Sequence, residues 1–223
     1  METVKPCVAT IGFFDGVHRG HRFLIEQVKR LATEQNLASS LITFPVHPRK
    51  IMQADYQPEL LSTPEEKEEL LKQTGVDSCV MLPFTPELSQ LSAYEFMRDV
   101  LQKQLNVRVL VIGYDHRFGH NRSEGFDDYC RYGKEIGMEV VKAEACVVNG
   151  VNVSSSVIRA FLSEGEIKLA NKCLGYGYYL EGIIVDGYKV GRKLGFPTAN
   201  LSVSNPDKLI PANGVYAVKV YLE

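Results

Sequence analysis

The sequence lacks three features that would place it in a specialised class: an excess of charge of one sign, a long apolar run and paired cysteines. Its formal net charge is −2, which gives neither a basic field for nucleic acid nor a polybasic membrane anchor. No apolar run is long enough to span a bilayer, and residues 1–10 do not resemble a signal peptide. The five cysteines are scattered and form no Cys-x-x-Cys pair, which argues against a disulfide framework or a zinc ribbon. We therefore expect a soluble, cytoplasmic protein that acts on small molecules and binds neither nucleic acid nor membranes.

What is present is an ordinary globular composition in which predicted strands and helices alternate. Of the 223 residues, 45% are hydrophobic and 23% charged, enough for a sizeable core. Short apolar runs predict strands at 8–14, 38–44, 78–82, 107–113 and 139–143. Between them we expect helices at 21–35, 63–74, 92–105 and 126–137, with capping boxes at Thr63–Glu66 and Ser92–Glu95. This alternation indicates βαβ units, and we expect an α/β fold with a Rossmann-like, doubly wound parallel sheet.

The pattern changes after Asn149-Gly150. Two short helices are predicted at 154–162 and 163–173, the second opened by a capping box at Ser163–Glu166. From Gly175 onward the sequence is typical of β-structure, with strands expected at 178–188 and 214–222 and a Gly/Pro/Asn-rich stretch between them. We therefore place the first domain at 1–174 and a second, β-rich domain at 175–223, which we expect to be incomplete because the chain stops within a predicted strand.

All five histidines lie in three short loops: His18 and His21, then His47, then His116 and His120. Each loop follows a predicted parallel strand at its carboxyl end. In an open α/β sheet this edge is where ligands bind. Loop histidines are often only surface residues, but three such loops at one edge favour a functional site.

The first loop, Gly12–His21, has the residue types that phosphate chemistry needs. Gly12 and Gly16 allow the backbone to approach a ligand, and the helix that follows offers free N–H groups to an anion. Gly20 leaves space between two imidazoles that can donate hydrogen bonds to phosphate oxygens. Such groups suit nucleotidyl transfer, where the protein mainly orients the reactants and stabilises charge on phosphate. Zinc binding is the alternative, but His-x-x-His in a loop lacks the i, i+4 spacing and the carboxylate of the familiar helical zinc motif.

Two further segments agree with a phosphate ligand. Ser154, Ser155 and Ser156 put hydroxyls at a predicted helix N-terminus, and Arg159 follows one turn later, where it can clamp a phosphate. The alternative, that one serine merely caps the helix, explains neither the other two nor the arginine. Within Gly113–Gly119, Asp115 offers a carboxylate and Phe118 an aromatic wall for a planar ligand, although this segment alone is a weak signal.

Together these segments resemble the bacterial bifunctional riboflavin kinase/FMN adenylyltransferase (FAD synthetase) family. The matching stretches are Gly12–His21, Thr43–Pro48, Gly113–Gly119, Ser154–Arg159 and Gly191–Leu201. The His-x-Gly-His element alone is shared by a broad nucleotidyltransferase superfamily, whereas its combination with Pro197-Thr198-Ala199-Asn200 is more specific. The resemblance implies a nucleotidyltransferase domain of the His-x-Gly-His type followed by an antiparallel β-barrel of the riboflavin kinase type.

The resemblance also implies an activity: transfer of AMP from Mg·ATP to FMN, giving FAD and pyrophosphate. His18, His21 and Arg159 would be the catalytic residues. The implied ATP-binding set is Gly12, Phe13, Phe14, Asp15, Gly16, Gly20, Ser154, Ser155 and Ser156, and the flavin-side set is His47, Pro48, Asp115 and Phe118. A kinase loop for Mg·ATP would comprise Gly191, Lys193, Gly195, Pro197, Thr198 and Asn200, with Thr198 and Asn200 as Mg²⁺ ligands. Without the family, Pro197–Asn200 would be interpreted as a plain turn.

The sequence departs from the family pattern at two places. Pro45-Val46 stands where the family more usually has an acidic residue and proline, although His47 and Pro48 are kept. Residues 175–223 are fewer than the kinase barrel needs, and the carboxylate base of the kinase is absent. We therefore expect this chain to be an adenylyltransferase, with riboflavin phosphorylation confined to a longer parent protein.

Two other functions remain open at this point, as does the oligomeric state. One is a nucleotidyltransferase of the same superfamily that acts on another small-molecule acceptor, which explains Gly12–His21 but not Gly191–Leu201. The other is a non-catalytic flavin-binding or regulatory module, against which the complete set of candidate catalytic residues argues.

Overall fold

A five-stranded parallel sheet forms the centre of the computed structural model, which describes residues 4–53, 55–113, 116–120, 123–148 and 150–222. The strands run in the spatial order β3-β2-β1-β4-β5. Their bounds are β1 Cys7–Ile11, β2 Ala38–Thr43, β3 Ser78–Met81, β4 Val107–Ile112 and β5 Glu139–Lys142. The central strand β1 pairs with β2 and β4, so the order reverses there, and the predicted doubly wound sheet is confirmed.

Helices connect the strands, close to where the sequence predicts them. They are α1 Arg19–Glu34, α2 Pro48–Met52, α3 Pro64–Lys72, α4 Pro86–Gln90, α5 Ala93–Glu95 with a π-helical continuation Phe96–Gln104, and α6 Phe126–Ile136. Two of the three predicted capping boxes form, at Thr63–Glu66 and Ser92–Glu95; in the first, Glu66 N–H donates to Thr63 Oγ1 and Thr63 N–H donates back to the Glu66 carboxylate. The short helices α2 and α4 were not predicted.

Both faces of the sheet are covered, as a buried parallel sheet requires. On β4, Val109 and Val111 pack with Val28 of α1 on one face. The alternate residues Leu110 and Ile112 point to the other face, in the cluster that holds the π-helical stretch and α6. This double cover explains why the strand is apolar at successive positions.

After the sheet the chain forms a small hairpin and two helices. The antiparallel strands β6 Val147–Val148 and β7 Val151–Asn152 are followed by α7 Ser155–Ser163 and α8 Ile167–Leu174. The predicted capping box at Ser163–Glu166 is wrong. Ser163 is the last residue of α7, the left-handed Gly165 breaks the helix, and Glu166 precedes α8 without a side-chain cap.

The C-terminal part contains one antiparallel pair, β8 Gly182–Val185 with β9 Asn200–Val203, and the short helix α9 Val190–Lys193 between them. The strand predicted at 178–188 is therefore shorter, and β9 lies in the stretch assigned to turns. The strand predicted at 214–222 is wrong: these residues form no ladder with any described part of the chain, and Val215 and Tyr221 are exposed. A strand needs a neighbour for its backbone hydrogen bonds, and a run of strand-forming residues does not supply one.

Residues 205–212, here called the return segment, lead back to the loop that carries Leu60. Leu60 N–H donates to Asp207 O over 2.7 Å, and Leu209 N–H donates to Leu60 O over 2.8 Å. Leu209 is buried in the same apolar cluster as Leu162 and Leu174. Within the described ranges, no helix is long and apolar enough to cross a membrane.

Candidate active site at the carboxyl edge of the sheet

A cleft of about 220 Å³ opens beyond the carboxyl ends of β1 and β4, where the strand order reverses. It is lined by Ile11, Gly12, Phe13, Phe14, Asp15, His21, Leu24, His47, Gly113, His116, Ser155 and Arg159. Residues from all three histidine loops and from α7 thus meet at one place. Of the five histidines, His21, His47 and His116 line the cleft, and His18 is buried behind His21. His120 is elsewhere, with its Nδ1 3.0 Å from the carbonyl of Ser89.

The paired histidines of the first loop stack on each other. The ring centroids of His18 and His21 are 3.6 Å apart and the planes differ by 16°. His18 is the N-cap of α1, and its Nδ1 accepts a hydrogen bond from His21 N–H over 3.2 Å. Gly20 makes the packing possible, because a Cβ there would lie 2.9 Å from Val153 O and 3.0 Å from the His18 ring. The pair therefore sits at the positive end of the helix dipole.

Both imidazoles are neutral at neutral pH. Burial lowers the pKa of His18 to about 3, and the Arg159 guanidinium acts in the same direction. Burial also lowers the pKa of His21 well below its ordinary value, and the neighbouring His18 adds to this effect. Since Nδ1 of His18 accepts a hydrogen bond, its single proton lies on Nε2, which makes that nitrogen a donor.

The loop before α1 is held in an unusual backbone conformation. Phe14, Gly16 and Val17 have φ of 55°, 73° and 35°, a region that side chains, and β-branched ones above all, rarely adopt. Gly16 is fixed from both sides, since its N–H donates to Ser62 Oγ over 2.9 Å and its carbonyl accepts from Tyr176 Oη over 2.7 Å. The loop geometry is therefore set by the protein before a ligand binds.

Asp15 does not offer its carboxylate to the cleft. The side chain is buried; it accepts hydrogen bonds from the N–H groups of Leu61 and Ser62 and lies 2.7 Å from Arg159 Nη1. Burial raises the pKa of Asp15, while the hydrogen bond from Leu61 and the charge of Arg159 oppose the rise. Arg159 keeps 31% of its side chain exposed, so Asp15 orients a cation at the rim of the cleft.

The three serines at the start of α7 have different surroundings. Ser154 caps the helix, accepting from Val157 N–H over 3.3 Å. Ser155 lines the cleft and donates to the Asp15 carbonyl over 3.2 Å. Ser156 is exposed on the first turn. Helix capping thus accounts for Ser154, and of the three serines it is Ser155 that lines the cleft.

His47 and Phe13 form the other wall of the cleft. Their rings meet edge to face with centroids 4.7 Å apart, and His47 caps α2 by accepting from Arg49 N–H through Nδ1. Burial lowers the pKa of His47 to about 4, helped by the charge of Arg49. Pro48 is the first residue of α2.

Lys67, which no sequence pattern indicated as a site residue, lies behind this wall. It is fully buried, its ammonium is 3.9 Å from the centroid of the Phe13 ring, and it donates to Phe44 O over 2.7 Å. Burial lowers its pKa to about 8. Lys67 lies three and four residues before the buried Leu70 and Leu71 of α3. This helical spacing was the sequence signal that its side chain faces the protein interior.

Comparison with known proteins decides the family. A family model described as FAD synthetase matches residues 1–157, and one described as riboflavin kinase matches residues 174–223. The bifunctional riboflavin kinase/FMN adenylyltransferase of Escherichia coli strain K12 is 36% identical over 216 residues, which is 97% of this chain and 68% of that protein. The protein of the same name from Listeria monocytogenes is 38% identical over 213 residues, 95% of this chain and 67% of that protein. The chain belongs to the bifunctional riboflavin kinase/FMN adenylyltransferase family.

A solved structure supports the fold of this family member. The protein named as a macrolide-efflux protein from Streptococcus pneumoniae superimposes with a TM-score of 0.84 at 30% identity, covering 97% of this chain and 70% of that one. Its name describes another activity, and here the likeness contributes only to the architecture.

The remaining flavin-side residues do not all line the cleft. Phe118 stacks on Tyr129 with centroids 4.3 Å apart and lies 5.6 Å from the Phe96 ring, at the edge of the main core. Asp115 lies outside the described residues. His116, on the same loop, does line the cleft.

The kinase-loop residues form a separate, exposed group that does not line the cleft. Gly191 is required by space, because a Cβ there would lie 2.3 Å from Phe196 O, and Gly195 adopts φ of 82°. The Thr198 hydroxyl lies beside Gly191 and the Asn200 amide beside Gly187. Lys193 ends α9, and Pro197 precedes Thr198 on the same exposed stretch.

Proposed function

We propose that this family member transfers AMP from Mg·ATP to FMN. A phosphate oxygen of FMN attacks the α-phosphorus of ATP, the bond from that phosphorus to the bridging α–β oxygen breaks, and pyrophosphate leaves with the displaced electron pair. The observation that carries the proposal is the neutral, stacked His18–His21 pair at the N-terminus of α1, beside Arg159. Membership of the family supports FMN as the acceptor.

The roles follow from the chemistry of the transition state. Negative charge spreads over the oxygens of the α-phosphate as the bond to pyrophosphate breaks. Nε2–H of His18, the His21 ring and the free N–H groups of α1 stabilise that charge. Arg159 and the Ser155 hydroxyl hold the departing β- and γ-phosphates, and Gly12, which lines the cleft, lets the backbone approach them. Gly16 and Gly20 do not line the cleft; they allow the loop and the histidine pair to pack against the rest of the protein. His47, which packs against the Phe13 ring, faces the flavin.

The acceptor is tested by pyrophosphate release. The chain is incubated with Mg·ATP and, in separate reactions, with FMN, phosphopantetheine, nicotinate mononucleotide or glycerol phosphate. We expect release with FMN and a matching amount of FAD. Release with another acceptor only would favour the wider superfamily, and FMN binding without release would favour a non-catalytic flavin module.

We also propose that Thr198 and Asn200 hold Mg·ATP at the site that would serve riboflavin phosphorylation in a longer parent protein. The match of residues 174–223 to the riboflavin kinase model supports this, as do the exposed hydroxyl and amide, which are oxygen ligands of the kind that Mg²⁺ prefers. Calorimetric titration with Mg²⁺ and a non-hydrolysable ATP analogue should show a second binding event that Asn200→Ala removes while FAD formation is unchanged. Loss of both together would contradict two separate ATP sites.

The cytoplasm remains the proposed location. All five cysteines are free thiols, which is the usual state in a reducing compartment.

A further inference from the structure

The return segment joins the second domain to the loop that carries Leu61 and Ser62. Its backbone forms a bridge with Leu60, and the Leu209 side chain is buried beside Leu61. Residues that match the riboflavin kinase model thus contact the loop next to the adenylyltransferase cleft.

Lys208 is the central residue of this contact. Its side chain is 2% exposed; it donates to Leu61 O over 2.9 Å and forms an ion pair with Glu66, whose side chain is 4% exposed. The rings of Tyr178 and Tyr179 lie 4.7 and 5.0 Å from its ammonium. A buried ion pair is poor evidence for stability, because desolvation of two charges offsets their attraction. The geometry points to a positional role instead.

A continuous chain of hydrogen bonds leads from Lys208 to the cleft. Lys208 fixes the Leu61 carbonyl, the N–H groups of Leu61 and Ser62 hold the Asp15 carboxylate, and Asp15 holds Arg159. Each donor and acceptor in this chain before Arg159 is buried, so water does not readily replace a lost bond.

We propose that Lys208 is a positioning residue for adenylyl transfer, which acts through Leu61, Ser62 and Asp15 on Arg159. The inference rests on the proposed function. Lys208 lies in the part of the chain that matches the riboflavin kinase model, and it would help to position the adenylyltransferase site. The two domains would then not work as independent modules.

The test is a double-mutant cycle on kcat/KM for Mg·ATP. Lys208→Met is made together with Glu66→Gln, so that no unpaired carboxylate is left buried; Glu66→Gln alone is the matched control, because it keeps the bond from Lys208 to Leu61. We expect the double variant to lose about tenfold in kcat/KM for ATP relative to the control, with KM for FMN within about twofold. In the Asp15→Asn background, adding Lys208→Met to Glu66→Gln should lower kcat/KM for ATP by less than about twofold, because the link to Arg159 is already broken.

An equal loss in both backgrounds, or no loss in either, would overturn the proposal. A second measurement needs no variant: hydrogen exchange of the wild-type chain with and without a non-hydrolysable ATP analogue. The amides of Leu61, Ser62 and Leu209 should gain protection together, and protection that stops at Ser62 counts against the link. If the wild-type chain forms no FAD, the proposed function fails; if it does and the cycle is additive, only the role of Lys208 fails.

Discussion

The His21 main-chain N–H is hydrogen-bonded to Nδ1 of His18, and the two rings stack with centroids 3.6 Å apart and planes 16° from parallel. This bond fixes the position of the first imidazole, the stacking fixes the second, and burial keeps both neutral. Two oriented donors at a helix N-terminus need no reorganisation when charge develops on a phosphate, which is the condition for strong transition-state stabilisation.

Gly20→Ala should disturb this pair. By helix propensity alone, replacing glycine with alanine in a helix would stabilise the protein by roughly 1 kcal/mol. Here the added Cβ meets Val153 O at 2.9 Å and the His18 ring at 3.0 Å, so the steric effect wins. We expect the kcat for FAD formation to fall about tenfold or more, with the free energy of unfolding lower by roughly 1–3 kcal/mol. Gly177→Ala, where nothing lies within 4 Å of the new Cβ, is the control; equal effects at both positions would refute this explanation.

Arg159→Lys should weaken ATP binding while the fold is kept. A lysine retains the positive charge beside Asp15, but it lacks the second set of donors that lets arginine contact Asp15 and a phosphate together. Steady-state kinetics should show KM for Mg·ATP raised about tenfold and KM for FMN within about twofold. Arg131→Lys, in an exposed pair with Asp128, should change neither constant. A normal KM for ATP in Arg159→Lys would remove Arg159 from the triphosphate site.

The buried histidines predict a pH dependence of stability. The pKa of His18 falls from an ordinary 6.5 to about 3 on folding. Between these two pH values, His18 is protonated in the unfolded chain and neutral in the folded chain. Stability is therefore lost as the pH falls from 6.5 towards 3. Urea unfolding between pH about 5.5 and 4 should show a slope about 1.4 kcal/mol per pH unit steeper for the wild type than for His18→Asn. Identical slopes would mean that His18 is not buried in its neutral form.

The sequence predicts best what is decided by neighbours along the chain. The capping boxes at Thr63–Glu66 and Ser92–Glu95, the five strands of the sheet and the His18–His21 pair each depend on residues a few positions apart, and these were found. The partners of Asp15 and Lys208 lie 46 and 147 residues away, so no local pattern could predict them.

The wrong predictions lie where contacts with distant parts of the chain, and not neighbouring residues, decide the structure. The residues at 214–222 are rich in valine and tyrosine, as strands are, yet strand formation requires a paired neighbour. Ser163 fits the pattern of a cap but is already the end of α7. Local preference is overruled in both places by what the rest of the chain provides.

The most direct test of the account is the formation of FAD from FMN and Mg·ATP by the wild-type chain and by His18→Ala and His21→Ala. Because the two imidazoles act mainly on the transition state, we expect the rate to fall by about 100-fold or more in each variant, while fluorescence titration shows FMN binding within about twofold of the wild type. Absence of FAD with the folded wild-type chain, or an unchanged rate in both variants, would contradict the account.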